Sequence, residues 1–135
     1  MSHFNETISV KTHRRNEMID ITSEVSAAIA KHGVDSGTAI VFCPHTTAGI
    51  TINENADSDV THDILLTFDE LFPQQRKGYR HGEGNSDAHV KSSLVGASET
   101  IMIQTGQLKL GTWQGVYFCE FDGPRSRHVH ICMTG

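Results

Sequence analysis

The sequence predicts an α+β domain: a mixed, mostly antiparallel sheet with helices packed on one side. Three observations carry this. Short β-branched runs alternate with amphipathic stretches, but without the regular strand–helix–strand repetition of a parallel sheet. The last third of the chain reads almost wholly as strand. A length of 135 residues, 37% apolar, suffices for one core and fits a single domain over residues 1–135.

Each element has its own signal. Glu6 to Lys11 alternates polar and β-favouring residues, as a half-buried strand does. Asp20 is placed to cap the next helix, where Ile21, Val25 and Ile29 fall on one face and Gly33 ends it. Thr38 to Cys43 is a continuous apolar run, read as a central strand. Pro44 to Gly49 interrupts it, and Ile50 to Asn53 alternates as a second strand. The pair reads as a hairpin, with His45 at the end of a rigid strand. Asn53, Glu54, Asn55 and Asp57 open the next helix, where acids suit the dipole. Its stripe is Val60, Ile64 and Phe68, widened by Leu65 and Leu71, and Pro73 stops it.

Tyr79 to Lys91 has almost no apolar side chains and cannot be a core strand. Gly82 and Gly84 allow a sharp turn. Asn85 or Ser86 can cap a helix beginning near Asp87, whose free backbone donors form a modest anion site. This stretch reads either as one wall of a metal-assisted site for an anionic small molecule or as a polar surface loop with a helix cap. Val90 and Leu94 give the short helix one apolar edge, and Gly96 ends it. Ser98 to Gln104 alternates as a strand, Gly106 to Gln114 is turn-rich, and Gly115 to Phe121 is a further strand. Asp122-Gly123-Pro124 is a turn signal. Arg125 to Met133 closes the chain, with Val129, Ile131 and Met133 on one face and His128, His130 and Cys132 on the other.

Composition narrows the function. Net charge is −5 and the eleven Lys and Arg are dispersed, which argues against a nucleic-acid footprint. No apolar run reaches membrane-spanning length, and the N-terminus lacks the basic patch and apolar stretch of a secretion signal. Cys43, Cys119 and Cys132 are an odd set with no close pair, as buried thiols in a reducing cytoplasm would be. Trp113, the single tryptophan, reads as a core or subunit-interface anchor ahead of a ring-stacking platform. Among nine histidines, His45, His81, His89, His128 and His130 sit beside other polar groups.

His45-Thr46-Thr47-Ala48-Gly49, Asn53-Glu54-Asn55-Ala56-Asp57, Tyr79-Arg80-His81, Gly84-Asn85-Ser86-Asp87-Ala88-His89, Gly111-Thr112-Trp113-Gln114 and Asp122-Gly123-Pro124-Arg125 occur in that order. Together they resemble the YjbQ-like family, also called the secondary thiamine-phosphate synthase family. The resemblance covers roughly residues 5–134. It implies a compact α+β fold, a homotrimer, and a thiamine-phosphate synthase activity that is secondary in this family.

That reaction joins a pyrimidine methyl diphosphate to a thiazole phosphate and expels pyrophosphate. It calls for cations or a divalent metal on the leaving diphosphate, anion-binding donors and exclusion of water. His45, His81 and His89 are the expected ligands of a divalent metal, Zn or Mg foremost, because neutral imidazoles bind transition metals and three leave open positions. Glu54, Asp57 and Asp87 are the candidate catalytic carboxylates, contacting Mg²⁺ or orienting a histidine; helix capping is the competing role of Asp57 and Asp87. Arg80, Arg125 and Lys109 are candidates for phosphate, with Asn85 and Ser86 adding hydrogen bonds. A trimeric protein that binds metal or a small ligand without turnover, and a metal-dependent hydrolase, would use the same residue types.

Overall fold

Side-chain alternation decides which side of several strands is buried. The computed structural model describes residues 2–135. Along the chain run β1 (His3–Lys11), β2 (Glu17–Asp20), α1 (Thr22–His32), β3 (Gly37–Phe42), β4 (Ala48–Glu54), α2 (Ser58–Leu71), α3 (Ser86–Val95), β5 (Ser98–Gln104), β6 (Gln107–Leu108), β7 (Gln114–Glu120) and β8 (Ser126–Thr134). The predicted α+β class holds, and every strand pair is antiparallel. The strands form two sheets: five in the order β1-β8-β3-β5-β6, and three in the order β2-β7-β4.

The expected hairpin of β3 and β4 does not form. Both edges of β3 are taken, by β5 and by β8. No edge is left for β4, which pairs with β7 in the other sheet. Residues 43–47 are therefore a crossover between sheets, not a turn within one. Backbone bonds hold the crossover at both ends: the Cys43 N–H donates to Ala97 O at 2.7 Å, and the Phe121 N–H donates to Thr47 O at 3.1 Å.

The core lies between the sheets. Val25 and Ile29 of α1 pack on Val41, Ile101, Val129, Ile131 and Met133 from the large sheet and Ile50, Val116 and Phe118 from the small one. In β8 the predicted phase is kept: Val129, Ile131 and Met133 are buried while His128 and His130 face out. α2 departs from expectation. None of its residues is fully buried, and Leu71 is exposed. Phe68 packs its ring 6.0 Å, centroid to centroid, from that of Phe121.

α3 departs further, because its buried face is polar. Asp87, Ala88, Lys91 and Ser92 are buried and Leu94 is exposed. The Arg15 guanidinium forks onto both Asp87 oxygens at 2.9 Å, and Lys91 Nζ donates to Asp87 at 2.9 Å and to Asp69 of α2 at 2.7 Å. These bonds tie α3 to the β1–β2 connection and to α2. Burial acts most strongly on the Asp87 carboxyl and would raise its pKa, but the bonds from Arg15 and Lys91 together outweigh it and hold the pKa below its ordinary value.

A second buried ion pair joins the sheets. Glu120 ends β7 and Arg127 lies in β8, and both Nε and Nη2 of Arg127 donate to the Glu120 carboxylate. Thr12 Oγ1 donates to Glu120 at 2.8 Å, and the backbone N–H groups of Phe121 and Asp122 donate at 3.1 and 3.0 Å. Arg127 Nη2 also donates to Thr47 Oγ1 at 2.9 Å. The turn beneath is tight: a Cβ on Gly123 would sit 2.2 Å from Arg14 O, so only glycine fits.

Removing one partner of a buried pair strands a charge. Arg127→Met and Asp87→Asn should each lower unfolding free energy by about 3–5 kcal/mol, read from urea denaturation. Burial raises and Arg127 lowers the Glu120 pKa, with a net lowering. Carboxylates depressed in the folded state bind fewer protons there than when unfolded. Their contribution is complete above the ordinary values, 4.5 for Glu120 and 3.8 for Asp87, and is lost as pH falls below them. The urea midpoint should therefore hold from pH 7 to 5 and drop steeply below about pH 4.

Candidate functional site

Three loops meet at the end of the two sheets where β3 leaves for β4. The crossover supplies Pro44, His45, Thr46 and Thr47. The loop into α3 supplies His81, Glu83 and Asn85, with His89 from the first turn of α3; the β7–β8 turn supplies Asp122 and Arg125, with Arg127 from the start of β8. Together they line a cavity of about 390 Å³. α3 fastens the crossover directly, since Ser92 Oγ donates to Thr46 O at 2.6 Å. A neighbouring hollow of similar size shares His81 and is lined by Arg76, Lys77, Tyr79 and Ser86. A larger hollow, about 570 Å³, lies under α2 among Met18, Ile64, Phe68 and Phe121; it is mainly apolar and holds none of the histidines.

The cavity's side chains are braced by one another. Arg125 donates from Nε to Asp122 O and from Nη2 to Asp122 Oδ2, each at 2.8 Å. The same Asp122 Oδ2 accepts from Asn85 Nδ2 at 2.8 Å. His81 and His89 lie edge to face, 5.4 Å between ring centroids. His45 Nε2 accepts the His128 N–H at 3.0 Å, which leaves the ring proton on Nδ1. Burial lowers the His45 pKa, the charge of Arg127 adds to that, and the ring is neutral at pH 7.

Of the residues singled out in the sequence, His45, His81, His89, Asn85 and Arg125 come together here, and Ser86 lines the adjoining hollow. The others do not join them. Asp87 is locked in its buried ion cluster with Arg15 and Lys91. Asp57 caps α2, accepting the Asp59 N–H at 2.9 Å, at the opposite end of β4 from Thr47. Glu54 ends β4 there too, where its carbonyl accepts the Tyr117 hydroxyl. Arg80 and Lys109 are exposed and line neither hollow. Trp113 is 63% exposed, so it is no core anchor.

The geometry also revises the metal set. With Nε2 taken by the His128 N–H, His45 presents a donor, Nδ1–H, rather than a lone pair. Among the described residues, no three His, Cys, Asp or Glu side chains converge on one point. The donor chemistry that suits a divalent ion is confined to the His81–His89 pair, with Glu83 Oε2 3.9 Å from His81 Nε2.

Sequence reasoning missed Arg127, Thr47, Asp122, Arg76 and Lys77. Arg127 carried a signal. It shares the phase of Val129, Ile131 and Met133, so the pattern that buries them also buries a guanidinium, which then requires a buried acid. Asp122 was legible only as a turn former, because its bond to Asn85 joins positions 37 residues apart.

The UPF0047 protein YjbQ-like family model matches residues 6–135. The chain is 58% identical over 130 residues to UPF0047 protein YugU of Bacillus subtilis, covering 96% of this chain and 98% of that one. It is 52% identical over 126 residues to UPF0047 protein MJ1081 of Methanocaldococcus jannaschii, covering 93% and 91%. A crystal structure of a YjbQ/UPF0047 family protein from Clostridium acetobutylicum superposes with a TM-score of 0.93 at 56% identity, covering 96% and 99%. A YbjQ-like protein of unknown function from Sulfolobus solfataricus superposes with a TM-score of 0.94 at 32% identity, covering 99% and 98%. With a family model spanning nearly all of the sequence and relatives matched end to end, the chain belongs to the UPF0047 (YjbQ-like) family.

Proposed function

We propose that the three-loop cavity is the active site of an enzyme acting on phosphate-bearing small molecules, with thiamine-phosphate synthase as the named activity to test first. One observation carries the reading: the cavity gathers three imidazoles, a buried amide and two guanidinium groups from loops far apart in sequence. Arg125 uses Nε and Nη2 on Asp122, and its Nη1 edge is the cation for an incoming phosphate. His45 Nδ1–H is a neutral donor to the same anion, and its tautomer is set by the bond at Nε2. Arg127 lies behind them, neutralised by Glu120, and holds Thr47 in place. His81 and His89 are the pair that would hold a divalent metal, which when bound would draw negative charge off a leaving diphosphate.

A second reading has its own support. The candidate catalytic carboxylates, Glu54, Asp57 and Asp87, all lie outside the cavity. Asp122 is committed to Asn85 and Arg125. This favours binding without hydrolysis over a hydrolase, since the cavity's carboxylates are Glu83 and an Asp122 whose Oδ2 is taken by Asn85 and Arg125.

We also propose self-association, as a homotrimer, through the outer face of the large sheet. Ile40, Phe42 and Met102 are exposed there on adjacent strands, with Phe42 opposite His130 and Ile40 opposite Cys132. An apolar patch on a sheet face is the kind of surface that a second copy covers.

Pyrophosphate release on mixing the protein with the two thiamine precursors tests the first proposal. Release should require divalent metal and fall at least 100-fold in His89→Ala, on the order of one transition-state interaction lost, with thiamine phosphate as product. No release with any metal would transfer the cavity to the ligand-binding reading. Light scattering tests the assembly: wild-type protein should show the mass of three chains, and Phe42→Glu with Met102→Glu should reduce it to one without altering the circular dichroism spectrum.

A further inference from the structure

Charge in the three-loop cavity is balanced within the protein. Arg125 pairs with Asp122 and Arg127 with Glu120, and Glu83 adds a further carboxylate to the lining. The neighbouring hollow of about 390 Å³, which meets the cavity at His81, is not balanced. Arg76 and Lys77 line it and no acid does. Neither cation has an ion pair among the described residues, unlike Arg15, Lys31, Lys91, Arg125 and Arg127. In a chain of net charge −5, the stretch from Leu71 to Gly82 carries three basic residues and no acid. Hydrogen bonds shape the wall of the hollow. Tyr79 N–H donates to Arg76 O at 3.2 Å, closing a turn in which Arg76 and Lys77 come first and Gly78, at φ +103°, comes third. Gln74 Nε2 donates to Gly84 O at 3.1 Å and ties the approach to this turn to the loop before α3. Tyr79 and Ser86 add hydroxyls with no protein partner among the described residues.

We infer that this hollow is a second phosphoryl subsite of the same active site: Arg76 and Lys77 hold one phosphoryl group there while Arg125 meets another in the cavity. The inference rests on the phosphate-binding reading of the cavity. It narrows the substrates to those that bring two phosphoryl groups into the site together, as one diphosphate or as two phosphate esters bound side by side. The ground is charge. A phosphate monoester carries about −1.5 to −2 near pH 7. A guanidinium already paired with Asp122 offers donors but little net field, whereas an unpaired Arg and Lys offer both. The hydroxyls of Tyr79 and Ser86 are neutral donors for the same oxygens. The shared His81 makes the two spaces neighbours, so the hollow supplies the uncompensated positive charge that the cavity lacks.

The test is a titration of the isotopically labelled chain with inorganic phosphate, followed by NMR shifts of the backbone amides, at an ionic strength held constant with sodium chloride. The amides of Lys77, Tyr79 and Ser86 report the hollow, and those of Thr46 and Thr47 report the cavity. Both sets should saturate. Arg76→Gln combined with Lys77→Gln should weaken the response of the hollow about ten-fold or more and leave that of the cavity as it was. Both positions are exposed, so the double variant tests binding and not folding. Hollow amides that drift without saturating, or that saturate as tightly in the double variant, overturn this inference while the cavity keeps its phosphate. If the hollow alone responds, the cavity reading falls and the pairing of two groups falls with it. If neither set responds, both readings fall. Pyrophosphate then separates the sources: one equivalent moving both sets supports a single diphosphate, and two equivalents, one for each set, support two esters.

Discussion

The arrangement depends most on the buried pair of Glu120 and Arg127. A charge without water is costly, and each of these is tolerable because it is paired with the other and bonded by further groups around it. Glu120 takes Arg127, the Thr12 hydroxyl and two backbone N–H groups; Arg127 takes Glu120 and Thr47. Those partners come from β7, β8, the connection after β1 and the crossover after β3. One charge-satisfaction requirement therefore fixes where both sheets meet and where three loops lie. The cavity opens directly above this point, with Arg127 as part of its wall.

The same logic explains α3. A ten-residue helix that offers Ala88 and the flank of Val95 to the apolar cluster of Tyr117, Cys119 and Phe121 buries little hydrophobic surface for its length. It docks through Asp87 and Lys91, whose i,i+4 spacing puts opposite charges side by side, and through Arg15 and Asp69, which complete the cluster from outside the helix. Anchoring by directional bonds sets the helix's position and rotation more narrowly than an apolar stripe would. That suits a helix which carries Asn85 and His89 into the cavity.

The cavity's surroundings thus divide between side chains with unused bonding groups and side chains that hold. Arg125, His45 and the His81–His89 pair line the cavity with donors or lone pairs to spare. Glu120 and Asp87 have both carboxylate oxygens bonded by protein, and Asp122 gives one oxygen to Asn85 and Arg125. The distinction bears on the acidic motif residues. Asp87 lies two residues from Asn85 in sequence, but its carboxylate points into an ion cluster, while the amide of Asn85 belongs to the cavity wall. Family membership brings no activity with it, since the relatives are described as UPF0047 proteins or as of unknown function.

The α+β class, most strand positions and the alternation in β8 are legible in the chain alone, because they follow from local periodicity of apolar side chains. His45, His81, His89, Asn85 and Arg125 stand out there too, through their polar, turn-rich settings. That β3 and β4 belong to different sheets emerges in the fold, since it turns on β5 and β8 having taken both edges of β3. Only the fold separated Asp57 and Glu54 from the histidines, at the far end of β4, and turned His45 from a lone-pair ligand into a proton donor through the backbone of His128. These outcomes depend on hydrogen bonds and ion pairs between residues tens of positions apart. Such pairings leave no periodic trace in the chain, and the cost of an unpaired buried group enforces them once the chain is folded.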